Sequence, residues 1–450
     1  MLRLKIESFE KKDLLLELIN EFLSPGEYEL VEDKEDLIIN AKGSRDVDEI
    51  KREIFKVLGK LKGETPGWGI LTGVRPVKLA GELLRQEGSR EKAAEILRDK
   101  YLLSEEKIDL IQDIYHRQIA SLGYPPENSA GVYIGIPFCP TRCLYCSFAS
   151  NQVGEKEIAR YLQALKKEIL WTGRKMDEWG IHTESLYMGG GTPTTLSAEQ
   201  LGEIITSIKE SFDMSWVKEF TVEAGRPDTI DLEKLRTLKD LGVDRISINP
   251  QSMKDRTLEL IGRNHSPRDI ERAFGEALEV GFNSINADLI AGLPEEEPED
   301  LMNSLIRVRE LGADNITIHS LAVKRASKLK EVDPDYHYKQ GETVKEMIRG
   351  AGEYLDGEGF RPYYLYRQKH MAGAAENTGY AIPGKESIYN VRIMDEHQHI
   401  IALGAGGVSK VYYTKENRLE RVANVTNYEQ YIDRIDEMLE RKEKGFSQED

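Results

Sequence analysis

Tyr133-Ile-Gly-Ile-Pro-Phe-Cys-Pro-Thr-Arg-Cys-Leu-Tyr-Cys146 is the stretch whose reading decides the fold. Its first four residues read as a short strand, and Pro137 and Pro140 turn the chain into a loop that carries Cys139, Cys143 and Cys146. Downstream the strand recurs without the cysteines. Apolar, β-branched runs at 185–188, 219–224, 245–249, 284–290 and 315–321 are each followed by a helical stretch. Strands alternating with helices at this spacing imply a parallel sheet, because parallel neighbours need long crossover connections. Six such units predict an α/β fold, an incomplete (β/α)6 barrel over residues 130–325. Upstream, apolar alternation at Leu2, Leu4 and Ile6, a helix from about Asp13 to Leu23, a strand over 36–41 and a helix from about Asp46 to Leu61 predict a small α+β amino-terminal domain, residues 1–125. It ends in a Gly/Pro-punctuated segment, two helices and a connector over 123–130. Residues 326–450 predict an α+β carboxy-terminal region that covers the substrate.

The 450 residues include no cysteines beyond these three. An odd, clustered set makes a poor disulfide framework and points to a reducing compartment with a metal or cluster site. Three thiolates at C-x3-C-x2-C spacing can hold three irons of a cubane and leave the fourth open to a chelating cosubstrate. The competing reading is a structural zinc site completed by a distant histidine, although zinc sites usually pair their cysteines as C-x2-C. Basic and acidic residues number 62 and 79, a formal charge of −17, which disfavours nucleic acid as the main partner. No apolar run approaches the roughly 18 residues that span a bilayer, so the expectation is a cytoplasmic protein with no membrane partner.

Gly189-Gly-Gly-Thr-Pro-Thr194 ends the second strand, where glycines let backbone approach a ligand. It lacks the Gly-Lys-Ser/Thr ending of a phosphate loop, and an ordinary tight turn is the alternative. Glu223, Gln251, Arg263 and Asp288 sit at or just beyond later strands. A zwitterion with a ribose diol asks for these residue types: carboxylates accept from ammonium or hydroxyl, and Arg pairs a carboxylate at two points. Taken singly, each is more often a solvated or ion-paired structural residue.

The stretch from Tyr133 to Cys146 resembles the radical S-adenosylmethionine (SAM) superfamily signature, in the form used by oxygen-independent coproporphyrinogen oxidases, with Tyr145 as the aromatic before the last cysteine. The resemblance implies a 4Fe-4S cluster on Cys139, Cys143 and Cys146, with SAM chelating the unique iron. It also implies that SAM is held by Tyr133, Tyr145, Gly190, Gly191, Thr192, Glu223, Gln251, Arg263, Asp288 and Ala322, with Tyr133, Glu223 and Arg263 in catalytic positions. Asn286-Ala-Asp-Leu-Ile-Ala-Gly-Leu-Pro294 is close to the family's wording there.

Thr72-Gly-Val-Arg-Pro-Val-Lys78, Tyr363-Tyr-Leu-Tyr-Arg-Gln-Lys-His370 and Ile401-Ala-Leu-Gly-Ala-Gly-Gly407 are similar to the HemZ-type coproporphyrinogen dehydrogenase branch, which extends the resemblance to most of the chain. It implies oxidative decarboxylation of coproporphyrinogen III to protoporphyrinogen IX without oxygen, served by an external electron donor of flavodoxin or ferredoxin type. A tetracarboxylate macrocycle wants fixed cations and aromatic walls, which makes Arg75, Arg367, Lys369 and His370, beside Tyr363, Tyr364 and Tyr366, candidate substrate residues, with His319 at a strand end as a proton donor lining the pocket. Solvated cations and a satisfied core histidine are the competing readings. The chain departs from the coproporphyrinogen oxidase pattern at Gly135, where that pattern has His, and at Phe148, where it has a further Cys. Alternatives are radical modification or opening of haem, methyl transfer, and a haem carrier that keeps the fold.

Overall fold

The computed structural model describes residues 1–7, 12–24, 26–40, 46–72, 75–148, 150–324, 327–333, 336, 340–368, 371 and 375–447. Three short strands, β1 (Leu2–Glu7), β2 (Tyr28–Leu30) and β3 (Leu37–Asn40), pair in parallel in the order β2-β1-β3. Helices Lys12–Phe22 and Val47–Lys62 accompany them, and Leu4, Leu18 and Ile54 bury into a core of their own. The second helix ends on Lys60, Lys62 and a left-handed Gly63, cations and a glycine where unsatisfied carbonyls ask for them. Three helices then follow instead of the two expected: Pro76–Glu87, Arg90–Asp99 and Glu105–Leu122. Gly88, at φ 64°, and the capping side chain of Ser89 break the first from the second.

Six strands form the centre of an eleven-stranded sheet: β4 (Ser129–Ile136), β5 (His182–Gly190), β6 (Glu219–Glu223), β7 (Arg245–Ser247), β8 (Ser284–Ala291) and β9 (Asn315–Ser320). Each pairs in parallel with the next, and helices including Glu155–Trp179, Ala198–Ser211, Leu232–Asp240, Pro267–Val280 and Pro298–Glu310 make the crossovers. These strands read as apolar runs because both faces are covered, as β4 shows with every residue but Tyr133 buried.

The carboxy-terminal region extends the same sheet at both edges. β10 (Arg361–Tyr366) and β11 (Asn377–Ala381) form an antiparallel hairpin that joins through β11 to β9. β12 (His399–Leu403) lies parallel to β4 and carries β13 (Val408–Tyr413) and β14 (Arg418–Ala423). Leu403, Val411 and Tyr431 share one core with Ile134 and Phe138. A buried carboxylate fastens this junction: Glu168 pairs with Lys442 at 2.6 Å and accepts from Tyr431 Oη at 2.5 Å, Asn424 Nδ2 at 2.9 Å and Gly404 N at 2.7 Å.

Helix Ile388–Asp395 is held against the starts of β5 and β6 by charge. Glu219 accepts from Ile388 N at 2.8 Å and Tyr389 N at 3.2 Å, a carboxylate on the positive end of the helix. Near the other end, Arg392 forks onto Glu184 at 2.9 and 3.2 Å. No helix among the described residues is long and apolar enough to cross a membrane.

Candidate functional site

The carboxyl ends of β4 to β9 open into one cavity of about 410 Å³, within the range of small-molecule pockets. The cysteine loop forms one wall and is pinned at several points. Cys139 N donates to Asn151 O at 3.1 Å, Asn151 N to Pro137 O at 2.9 Å, Leu144 N to Ile261 O at 2.9 Å, and Leu329 N to Leu144 O at 3.0 Å. The turn after β5 docks on it, with Gly191 N donating to Ile136 O at 2.7 Å and Thr192 N to Phe138 O at 2.8 Å. A Cβ at Gly191 would stand 2.5 Å from the Phe138 carbonyl oxygen, so only glycine permits that approach.

Cys139, Cys143 and Cys146 all line the cavity and are free. Burial pushes the Cys139 thiol up to about 11, and the two neighbouring cysteine sulfurs push in the same direction. Cys146 is raised mainly by burial. Metal binding would displace those protons. No group of three His, Cys, Asp or Glu among the described residues is arranged to hold a metal ion. A cubane takes one thiolate per iron, and three cysteines on one cavity wall supply three such ligands.

Facing the loop are the residues expected to hold SAM. Tyr133, Tyr145, Gly190, Gly191, Thr192, Glu223, Gln251, Arg263, Asp288 and Ala322 all line the same cavity. Burial pushes the Glu223 carboxyl up to about 7, although Tyr187 Oη donates to it at 2.7 Å. Burial also acts to raise Asp288, but bonds from His319, Asn286 and Thr317 outweigh it and hold that carboxyl below its usual range. Arg263 donates to Asn249 O at 2.5 Å and to Tyr145 Oη at 3.3 Å. Gln251 sits at φ 68°, its backbone bridging to β8 through Asp288 O and Ile290 N.

Several buried polar atoms on this wall lack a partner among the described residues: Gln251 Oε1, Asn286 Oδ1 and Arg263 Nε. Two acceptors and a donor left open at buried positions ask for a ligand bearing both kinds of group, as SAM does with its ammonium, carboxylate and ribose hydroxyls.

His319 lies in the cavity, 3.5 Å from Asp288 and 3.3 Å from Tyr366 Oη. The other substrate candidates separate from it. Arg367 turns away to Glu21, at 2.9 Å, and to the Leu71 carbonyl, with its guanidinium 5.2 Å from the centre of the Trp68 ring. It joins the amino-terminal region to the hairpin. Arg75 pairs with Glu396, which also meets Lys410 at 3.1 Å and Lys78 at 3.5 Å. Neither arginine lines the cavity, because each charge already has a buried carboxylate to neutralise. Lys369 and His370 lie outside the described residues.

Residues not singled out from the sequence complete the site. Arg226 is clamped by Asp228 at 3.0 and 2.9 Å, donates to Thr141 Oγ1 at 2.7 Å and reaches to 4.0 Å from Cys143 Sγ, a fixed positive charge beside the cysteines. Its position just past Glu223, at a strand's carboxyl end, was the available signal. Asn377, Asn390 and Met394 join Tyr364 and Tyr366, the tyrosines read from the Tyr363–His370 stretch, in bringing the carboxy-terminal region into the lining. Tyr187 stacks on Tyr389 at 4.6 Å, and Tyr133 on Tyr187 at 6.2 Å. At the two departures, a Cβ on Gly135 would lie 3.2 Å from the Leu403 carbonyl oxygen, so β12 occupies the room a histidine would need. Phe148 is 67% exposed and lines the cavity.

Residues 133–306 match the family model described as the Radical SAM superfamily. The chain is 39% identical to the oxygen-independent coproporphyrinogen-III oxidase-like protein HemZ of Bacillus subtilis, over 86% of this chain and 78% of that protein. It is 33% identical to the heme chaperone HemW of Bacillus subtilis, over 70% of this chain and 76% of that protein. The solved structure of coproporphyrinogen III oxidase, HemN, from Escherichia coli superposes with a TM-score of 0.55 at 22% identity, covering 72% of this chain and 73% of that one, a likeness of fold. With three cysteines, a SAM-shaped set of polar atoms and this fold in one cavity, the chain belongs to the radical SAM family of HemN and HemZ type, which uses a 4Fe-4S cluster and S-adenosylmethionine.

Proposed function

We propose that this chain is an oxidoreductase that decarboxylates coproporphyrinogen III propionates to vinyl groups, giving protoporphyrinogen IX without oxygen. The observation that carries the reading is the continuity of the cavity: the wall of three cysteines and SAM-type residues runs directly into an aromatic and amide wall of Tyr364, Tyr366, Asn377 and Asn390. A flat macrocycle asks for such a surface. The resemblance to HemZ spans the regions that build both walls.

A 4Fe-4S cluster with bound SAM supplies one-electron cleavage to a 5′-deoxyadenosyl radical. Cys139, Cys143 and Cys146 would hold the cluster, and Gln251, Asn286 and Arg263 would meet the cosubstrate with their open polar atoms. Glu223, ionised above about pH 7, would accept from an ammonium, and Asp288, held charged by His319 and Asn286, from hydroxyls. On the substrate, a hydrogen atom leaves the propionate β-carbon, carbon dioxide departs, and one electron passes to an external acceptor. The carbons left behind form the vinyl group.

Anaerobic incubation with a reductant of flavodoxin or ferredoxin type, SAM and coproporphyrinogen III, read by mass spectrometry, tests this. Porphyrin products lighter by one and two formic-acid equivalents, absent with Cys139→Ala, support it. A second reading, a haem carrier, is favoured by the resemblance to HemW and by the departure at Gly135. Stoichiometric haem uptake with no decarboxylated product would select it.

A further inference from the structure

Among the described residues, three cations line the cavity: Arg226, Arg263 and Lys324. Arg226 is neutralised by Asp228, and Arg263 is spent on Asn249 O, Gly225 O and Tyr145 Oη. Lys324 has no carboxylate, carbonyl or hydroxyl partner among the described residues, and its ammonium faces the Phe148 ring, 5.6 Å from the centroid. Lys324 is half-buried. Burial lowers the ammonium's affinity for the proton, and the charge of Cys146 offsets only part of that cost. Such a charge is compensated when a ligand brings the anion.

Two neighbouring features fit the same kind of ligand. Ser150, two residues beyond Phe148, lines the cavity with its hydroxyl buried and without a partner among the described residues. Phe148 offers a large exposed ring beside the ammonium. A cation and a hydroxyl donor match the two oxygens of a carboxylate, and the ring matches the edge of a planar apolar body.

We propose that Lys324, Ser150 and Phe148 form a carboxylate subsite at the mouth of the cavity, holding a propionate of the tetrapyrrole other than the one that reacts. This rests on the tetrapyrrole reading above. The subsite sets the orientation of the macrocycle from the cysteine-loop side of the mouth, so that a different propionate is presented to the interior wall of Glu223, Gln251, Arg263 and Asp288. It also gives position 148 a role in which a phenyl ring serves better than the thiol found there in the coproporphyrinogen oxidase pattern.

The test is a fluorescence titration of coproporphyrin III, the stable oxidised form, into reconstituted wild-type protein, K324M and K324R, with iron content and SAM affinity measured on each. Loss of one charge-assisted bond weakens K324M about tenfold, whereas K324R stays within about threefold of wild type. If K324M binds coproporphyrin like wild type, or loses SAM affinity instead, the subsite is refuted and the tetrapyrrole reading stands. If wild type cleaves SAM but binds no coproporphyrin, the tetrapyrrole reading falls and the subsite with it.

Discussion

Replacing Arg367 by methionine removes the charge facing Glu21 while keeping an apolar stem near Trp68. The two side chains are only 4% and 6% exposed, so Glu21 would be left as a buried carboxylate without its guanidinium. Breaking a buried pair in this way costs about 3–5 kcal/mol. The charge of Lys51 also reaches Glu21, which places the loss near the lower end. With a urea dependence of about 3 kcal/mol per molar or more for a chain of this size, the unfolding midpoint falls by up to about 1 M. The pH dependence carries a sign. Burial already holds the Glu21 carboxyl above its ordinary range despite Arg367. Without the arginine it rises further, and the folded protein then binds that proton more tightly than the unfolded chain. A raised carboxyl favours folding at low pH and loses that contribution as pH climbs through the folded value, so the deficit of R367M is larger at pH 8 than at pH 5. Adding Glu21→Gln recovers most of it. Urea unfolding of wild type, R367M, E21Q and the double variant at both pH values is the assay. An R367M protein that unfolds like wild type but binds coproporphyrin more weakly would return Arg367 to the substrate and refute the reasoning.

Gly191→Ala places a methyl group against the Phe138 carbonyl, and the iron bound per chain after reconstitution should drop well below wild type. Because the Glu223 carboxyl sits near 7, deoxyadenosine formation at subsaturating SAM should rise from pH 6 to pH 8; in Glu223→Gln it should be lower and flat over that range. Lys442→Met strands the Glu168 carboxylate in the core and should cost about 3–5 kcal/mol, read by urea unfolding, with Glu168→Gln in the same chain restoring much of it.

What could be read along the chain was what local sequence determines. Runs such as Ile134 to Ile136 stood out because strands buried on both faces need apolar residues, and Ile285 to Ile290 departs from that only at Asn286 and Asp288, which line the cavity. The residues expected to hold SAM stood out because they lie at the carboxyl ends of those strands, where a parallel sheet gathers them. What escaped depends on distant partners. That β12 returns to pair with β4, or that Tyr389, Asn390 and Met394 reach the centre of the fold, follows from Glu219 and Glu184 anchoring the helix between them, over 150 residues earlier in sequence. Arg75 and Arg367 looked like substrate cations because a sequence gives the charge but not the carboxylate facing it. For Arg226 the converse holds: its place just past Glu223 marks it as near the strand ends, but only the fold shows that it meets Cys143.

The most direct test of the account is transfer of the propionate β-hydrogen. Coproporphyrinogen III deuterated at those carbons would be incubated anaerobically with reduced, reconstituted protein and SAM, and the 5′-deoxyadenosine weighed by mass spectrometry. The account predicts deoxyadenosine heavier by one deuterium, formed together with vinyl-bearing porphyrin. Deoxyadenosine without deuterium, in the presence of bound substrate, would contradict it.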